Sequence, residues 1–356
     1  MSIGCGTKIF EGQGMTVKER DFSVGIDVAR ALACLLVVVV HISATDFYAF
    51  GPRWWPANFF DSIARIAVPV FFLISGALVL VPEEPIGTFY KKRIGRVLPP
   101  LIVWSVVYAA VYRTPGVTPI DSLLNIIKGL SSGHLWYFYA IIGLYLSAPF
   151  LGKIYRASSL LEKRLFLLFW VFVNCGVPLF RPLLDSYYDP RAPYHLQMFI
   201  GYFGFLFMGA YLSERSVQKS SSLEVASYLF LFVFGCAMTM WLTYTFSFRV
   251  GQPVQTFYGY LSLFVVVAAA AFFKLSLMIM ALPKNIGKII ALVSSCSLGV
   301  YCIHPLVIDG IESLFALEHR ISSTWFKIPI VAFIVFVVSV VIVYFARKMA
   351  FMRRII

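Results

Sequence analysis

Ten apolar segments recur along the 356-residue chain, approximately at 24–47, 60–81, 97–113, 134–152, 165–183, 196–213, 225–246, 256–273, 289–309 and 327–346. Each approaches the ~20 residues that an α-helix needs to cross the hydrocarbon core of a bilayer. Backbone polar groups in lipid must bond within the protein, which selects helices. The expected fold is therefore all-α, a polytopic integral membrane protein of about ten transmembrane helices. Composition agrees, since only 13% of residues are charged and 60% are apolar, against roughly 25% charged in soluble domains. The segments 97–113 and 196–213 are short and read as differently tilted or partly re-entrant.

Lysine and arginine mark the orientation, because they concentrate on the cytoplasmic side of membrane helices. Taking the connections alternately, twenty basic residues fall on the side that holds both termini and eight on the other. The N- and C-termini are thus expected in the cytoplasm. The net charge of +13 sits in short runs between apolar segments, where topology and anionic lipid headgroups account for it without nucleic acid. The six cysteines form no CxxC pair and lie mostly inside apolar segments, which reads as packing and neither a disulfide framework nor a metal site. Residues 1–23 read as a polar N-terminal extension without a cleavable signal peptide, with Met1 and Met15 both possible starts. Residues 24–346 read as one transmembrane domain and 347–356 as a basic cytoplasmic tail.

The first apolar segment carries an arginine and a histidine, Arg30 and His41, separated by ten residues. On a helix these side chains stand ~16 Å apart along the axis, Arg30 near the cytoplasmic face and His41 in the outer third. A buried ionisable group is costly unless paired or hydrated, so such residues in a membrane are functional candidates. Arg65, in the descending second segment, is expected at the depth of His41. Cationic groups leading from one face to a histidine near the other suggest chemistry across the membrane.

Five stretches together resemble the membrane-bound acyltransferase-3 family. They are Arg30 to His41 within IDVARALACLLVVVVH, SIARIAVPVFFLISG at 62–76, KKRIGRVLPP with Arg93 and Arg96, HLWYFYAIIGLYLSAPFL at 134–151, and SLGVYCIHPLV at 297–307. The chain looks most similar to the short surface-polysaccharide O-acetyltransferases, a group that includes the one acting on enterobacterial common antigen. The resemblance implies a bacterial inner-membrane O-acetyltransferase moving an acetyl group from cytoplasmic acetyl-coenzyme A to a hydroxyl of a glycan or lipid-linked glycan outside. It implies membrane lipids as surroundings, no metal and no nucleic acid.

His41 is then the candidate general base, since an imidazole titrating near pH ~6.5 can take a hydroxyl proton at neutral pH. The plain alternative is an interior histidine bonded to a carbonyl. Arg30 suits phosphate or a developing negative charge, or a structural ion pair with Asp27 three residues before it. Arg93 and Arg96, one turn apart, are expected to clamp the nucleotide phosphates, while Lys91 and Lys92 anchor the cytoplasmic side. Arg65 either orients the acceptor, offsets an oxyanion or fixes a helix contact. Ser75 lines the site beside Gly76, which permits close packing. Trp136 and Tyr137 stack on sugar or sit at the interface, and His134 is expected to be solvated at the outer end. Tyr301 and His304, at i and i+3, share a face and line the reaction cavity. Asp46 points away from His41 and is a weak partner. The rival reading is a transporter or flippase of a lipid-linked glycan without acyl transfer; no inverted hydropathy repeat speaks for it.

Overall fold

The structure, a computed structural model, describes residues 17–112, 118, 121, 124–126, 128, 133–176, 201–214, 220–316 and 320–356. In chain order the helices are α1 (Val17–Ala49), α2 (Trp54–Ala64), α3 (Ala67–Val79), α4 (Ile86–Val111), α5 (Trp136–Ala157) and α6 (Leu160–Val171). They continue as α7 (Phe203–Glu214), α8 (Ser222–Val250), α9 (Leu263–Leu277), α10 (Lys284–Phe315) and α11 (Thr324–Ala346). Among the described residues, eight spans are long and apolar enough to cross a membrane. They are α1, α2 with α3, α4, α5, α8, α9, α10 and α11, where α5 and α9 each include a preceding 3₁₀ turn.

Two of the ten expected segments differ from this pattern. Segments 165–183 and 196–213 correspond to α6 and α7, each 12 residues long, and residues 177–200 lie outside the described part. So do residues 1–16, the loop 184–195 and most of the loop 114–133. The segment expected at 97–113 is no short span: Pro85 ends the preceding turn and α4 runs 26 residues from Ile86 through the whole basic cluster. At the start, α1 begins at Val17, within the stretch expected as a polar extension.

Span two breaks in the middle for a local reason. Pro69 has no N–H to return to the carbonyl of residue 65, and α2 ends at Ala64 while α3 restarts at Ala67. Arg65 stands in the break. This span forms the centre of the bundle with 78% of its apolar window buried, while α8 is peripheral at 17%. Helix α1 touches α2, α3, α9, α10 and α11, so the Arg30 and His41 helix is surrounded by protein.

Buried polar groups hold this centre together. Asp46 of α1 pairs with Lys327 of α11 at 2.5 Å, with side chains 7% and 2% exposed. Asp46, read from the sequence as a weak partner for His41, has Lys327 as its partner instead. Each neutralises the other between helices distant in sequence, which offsets the desolvation both would suffer alone.

Helices α3 and α7 cross backbone to backbone. A Cβ at Gly76 would lie 2.0 Å from the Leu206 carbonyl oxygen, and one at Gly209 would lie 2.0 Å from that of Leu73. No side chain fits at either position without separating the helices. Gly76→Ala is therefore expected to lower the thermal midpoint of the purified protein by several degrees or abolish monodisperse material. Gly143→Ala, at a site with nothing within 4 Å, is expected to leave both unchanged in the same fluorescence size-exclusion assay.

Candidate functional site

Helix α10 carries Tyr301, His304 and Pro305 in one turn. A proline inside a helix leaves the carbonyl four residues back without its usual N–H partner. Here that carbonyl belongs to Tyr301, and His304 takes the vacant place. Its Nδ1 lies 2.8 Å from the Tyr301 oxygen and 3.1 Å from that of Val300. Carbonyl oxygens only accept, so Nδ1 carries the hydrogen and Nε2 of the neutral ring keeps a lone pair. That Nε2 has no hydrogen-bond partner among the described residues, and His304 is fully buried. The proline thus fixes both the orientation and the tautomer of the ring.

Three imidazoles meet at this point. The partly buried His41 has its ring 4.8 Å from His304 and 6.5 Å from His134, and the last two lie 5.6 Å apart edge to face. His134 sits in the 3₁₀ turn Gly133–Leu135 before α5. Its ring packs 4.4 Å from Tyr108 of α4, and its carbonyl accepts from the Tyr301 hydroxyl. The expectation of a solvated His134 is wrong, because the turn tucks it between α4 and α10 and leaves it 8% exposed. Among the described residues no group of His, Cys, Asp and Glu is arranged to hold a metal ion.

A narrow cavity of about 150 Å³ runs beside α1. Arg30, Arg93 and Arg96 line it together with Ser75, Tyr137 and Tyr301. Val37, one turn before His41, also lines it, so the cavity reaches within ~6 Å of His41 along the helix axis. Arg30 Nη1 donates to Ser294 Oγ at 2.9 Å and lies 3.4 Å from Asp27 Oδ1, while the Ser294 hydroxyl donates to Asp27 at 2.6 Å. Arg30 is therefore both paired with Asp27 and a lining residue of the cavity. Arg93 is less satisfied. Its Nε is buried with no hydrogen-bond partner among the described residues.

Arg65 and Trp136 belong to other clusters. Arg65 pairs at 2.6 Å with Asp61, whose side chain is fully buried, and its guanidinium stands 4.4 Å over the Tyr258 ring. Tyr258 in turn donates to Asn58. The Asp61 partner, four residues before Arg65 on one helix face, was legible in the sequence and went unassigned. Trp136 stacks on Tyr260 at 5.4 Å and 18° and is not among the residues lining the cavity. Tyr137 is, and it also packs 5.7 Å from Tyr301.

The sequence profile described as "Acyltransferase domain", acyltransferase 3, matches residues 23–344. An "Amino-acid racemase" of Enterococcus faecalis is 31% identical over 160 residues, which cover 40% of this chain and 21% of that protein. A "Serine/alanine racemase" of Enterococcus gallinarum is 24% identical over 322 residues, 82% of this chain and 41% of that protein. The chain thus spans about two fifths or less of the length of these curated relatives. No solved structure matches the chain.

Two outcomes follow from the geometry. Pro305→Ala restores an N–H that competes for the Tyr301 carbonyl, so ¹⁵N NMR of labelled histidine is expected to show the single Nδ1–H tautomer of His304 giving way to a mixture. Asp61→Asn leaves a buried guanidinium without its counter-charge and is expected to cost roughly 3 kcal/mol or more, read from chemical denaturation of the purified protein.

Proposed function

Because the chain belongs to the acyltransferase domain family, whose profile it matches over residues 23–344, we propose that it is a membrane O-acyltransferase. In this reading it moves an acetyl group from acetyl-coenzyme A, supplied at the cytoplasmic face, to a hydroxyl presented from the other side. The observation that carries it is the single cavity that starts among Arg30, Arg93 and Arg96 and runs past Tyr137 and Tyr301, ending one helical turn short of the His41–His304 pair. The nucleotide phosphates pair with arginines at the basic end. The pantetheine arm, thin and flexible, lies along the apolar wall of the cavity with its thioester next to the histidines.

Transfer then needs few steps. The acceptor hydroxyl gives its proton to His41 as its oxygen bonds to the thioester carbonyl carbon. Negative charge builds on the former carbonyl oxygen, where a cationic or hydroxyl group offsets it; Arg30 and Tyr137 line the cavity for this, while the Tyr301 hydroxyl hydrogen is given to the His134 carbonyl. Collapse breaks the carbon–sulfur bond, and the departing thiolate takes the proton back from His41. His304 acts through His41 in this reading: its Nε2 lone pair, unpartnered among the described residues with the two ring centres 4.8 Å apart, is the acceptor that an N–H of His41 takes up during the reaction, which leaves the other nitrogen of His41 free as a base. Arg65, held by Asp61, serves as a fixed positive charge on the acceptor side. Ser75, 3.4 Å from the Tyr145 hydroxyl, lines the path of the donor.

The acceptor follows from the resemblance to surface-polysaccharide enzymes: a lipid-linked or nascent glycan. The racemase relatives add hydroxyl amino acids such as serine to the acceptors worth testing. The test uses the full chain in lipid nanodiscs with radiolabelled acetyl-coenzyme A, host lipid-linked glycans and free serine in parallel. Label is expected to enter an acceptor with the wild type and to fall at least ~100-fold with His41→Ala, while coenzyme A binding persists. Undiminished transfer by His41→Ala would overturn the assigned base. A wild type that moves glycan across proteoliposome membranes with its mass unchanged would favour the flippase.

A further inference from the structure

A second, wider cavity of about 880 Å³ opens beside the first. Arg96 and Leu298 line both, so the two adjoin. The remaining cationic lining comes from the last residues of the chain: Arg347, Arg353 and Arg354. These had been read as a basic tail, yet the segment is docked. The Trp104 indole donates to the Ile355 carbonyl at 2.8 Å, and Ile355 and Ile356 are 5% and 9% exposed. Gly299 of α10 makes room for them: a Cβ there would stand 3.0 Å from Ile356 Cβ and 2.6 Å from Val343. Arg347 Nη1 donates to the Ser295 carbonyl and hydroxyl at 2.9 and 2.8 Å, and Arg353 Nε donates to the Arg347 carbonyl at 3.2 Å. This turns the chain back so that Arg353 and Arg354 reach the cavity mouth.

Four arginines converging on one cavity repel one another unless an anion joins them. Among the described residues none of the four has a carboxylate within ion-pair distance. Guanidinium groups match phosphate oxygens in pairs, and Arg347 and Arg353 keep nitrogens beyond the Nη1 and Nε that bond Ser295 and the Arg347 carbonyl. Size separates the two cavities: pockets for nucleotide-sized ligands run ~300–1,000 Å³, which the wide cavity meets and the narrow one, at about 150 Å³, does not.

We infer that the docked C-terminal segment builds a phosphate site with Arg96, and that its ligand is the phosphorylated nucleotide head of the acyl donor, whose pantetheine arm continues into the narrow cavity. The inference rests on the acyl-coenzyme A reading above and corrects its detail. Arg96 stands at the junction of the two cavities, Arg93 lines the narrow one and a smaller cavity beside it but not the wide one, and Arg353 and Arg354 take the phosphate role expected of Arg93.

The same phosphate chemistry is offered by anionic lipid headgroups, so the test separates the two sources. Coenzyme A is titrated against the full chain in phosphatidylcholine nanodiscs, as wild type and as Arg353→Ala with Arg354→Ala. Adenosine 3′,5′-bisphosphate serves as a competitor that carries the nucleotide head without the arm. Binding by the variant is expected to weaken at least ~10-fold, with the thermal midpoint unchanged and the competitor displacing coenzyme A from the wild type. Arg354→Gln, a single change at an exposed position, is expected to weaken binding in the same direction and stands in should the double variant lose its fold. Equal affinity in wild type and variants overturns the inference while leaving the acyltransferase reading intact. If phosphatidylglycerol retention, measured by native mass spectrometry, then depends on these arginines, the site belongs to lipid. A wild type that binds no coenzyme A at all overturns both.

Discussion

The hydrogen bond from His304 Nδ1 to the Tyr301 carbonyl, at 2.8 Å, is the interaction on which the centre of this protein depends. It exists because Pro305 withdraws the backbone donor that would otherwise occupy that carbonyl. One proline therefore accomplishes three things. It turns the imidazole inward, it decides which nitrogen carries the hydrogen, and it leaves a buried lone pair beside His41. Without this constraint the rings of His41, His134 and His304 would be three polar groups packed among aromatics with no defined order. With it, the neighbour of His41 offers a fixed acceptor, the support that the proposed base requires.

Charge is distributed according to a second rule. Toward the centre of the bundle three cations have counter-charges among the described residues: Asp27 for Arg30, Asp61 for Arg65 and Asp46 for Lys327. Removing either member of such a pair strands a charge in a medium that solvates it poorly. At the end of the bundle that carries α4's basic turn and the docked C-terminal residues, the pattern inverts. Arg93, Arg96, Arg353 and Arg354 have no carboxylate among the described residues at ion-pair distance. On the proposed reading, these gathered cations are where the anionic donor binds.

Much of this was legible in the sequence. Segment length and hydropathy located eight of the spans, and the Arg30 to His41 spacing placed a cation and an imidazole on one helix because helical rise is fixed. The i, i+3 relation of Tyr301 and His304 put both on one helix face for the same reason, but only Tyr301 lines the narrow cavity, while His304 packs against His41 outside it. What was missed depends on contacts between distant helices, which periodicity does not encode. Nothing in the stretch around Asp46 names Lys327, 281 positions later. His134 looked solvated because a loop precedes it, and what encloses it is its packing against Tyr108 of α4 and against Tyr301 and His304 of α10. The terminal arginines read as a loose basic tail because the two isoleucines that anchor them are too few to register as a segment. The Asp61–Arg65 pair was a local signal passed over for the more conspicuous Arg30.

Chemistry across the membrane is the central claim, and sidedness tests it most directly. The protein would be reconstituted in sealed liposomes with a single, protease-mapped orientation. Labelled acetyl-coenzyme A would be supplied only to the end bearing Arg93, Arg96 and the docked C-terminal segment, and the acceptor only to the opposite compartment. The expected result is labelled acceptor in this arrangement and none when donor and acceptor exchange compartments. Transfer that requires both on the same side would contradict the account.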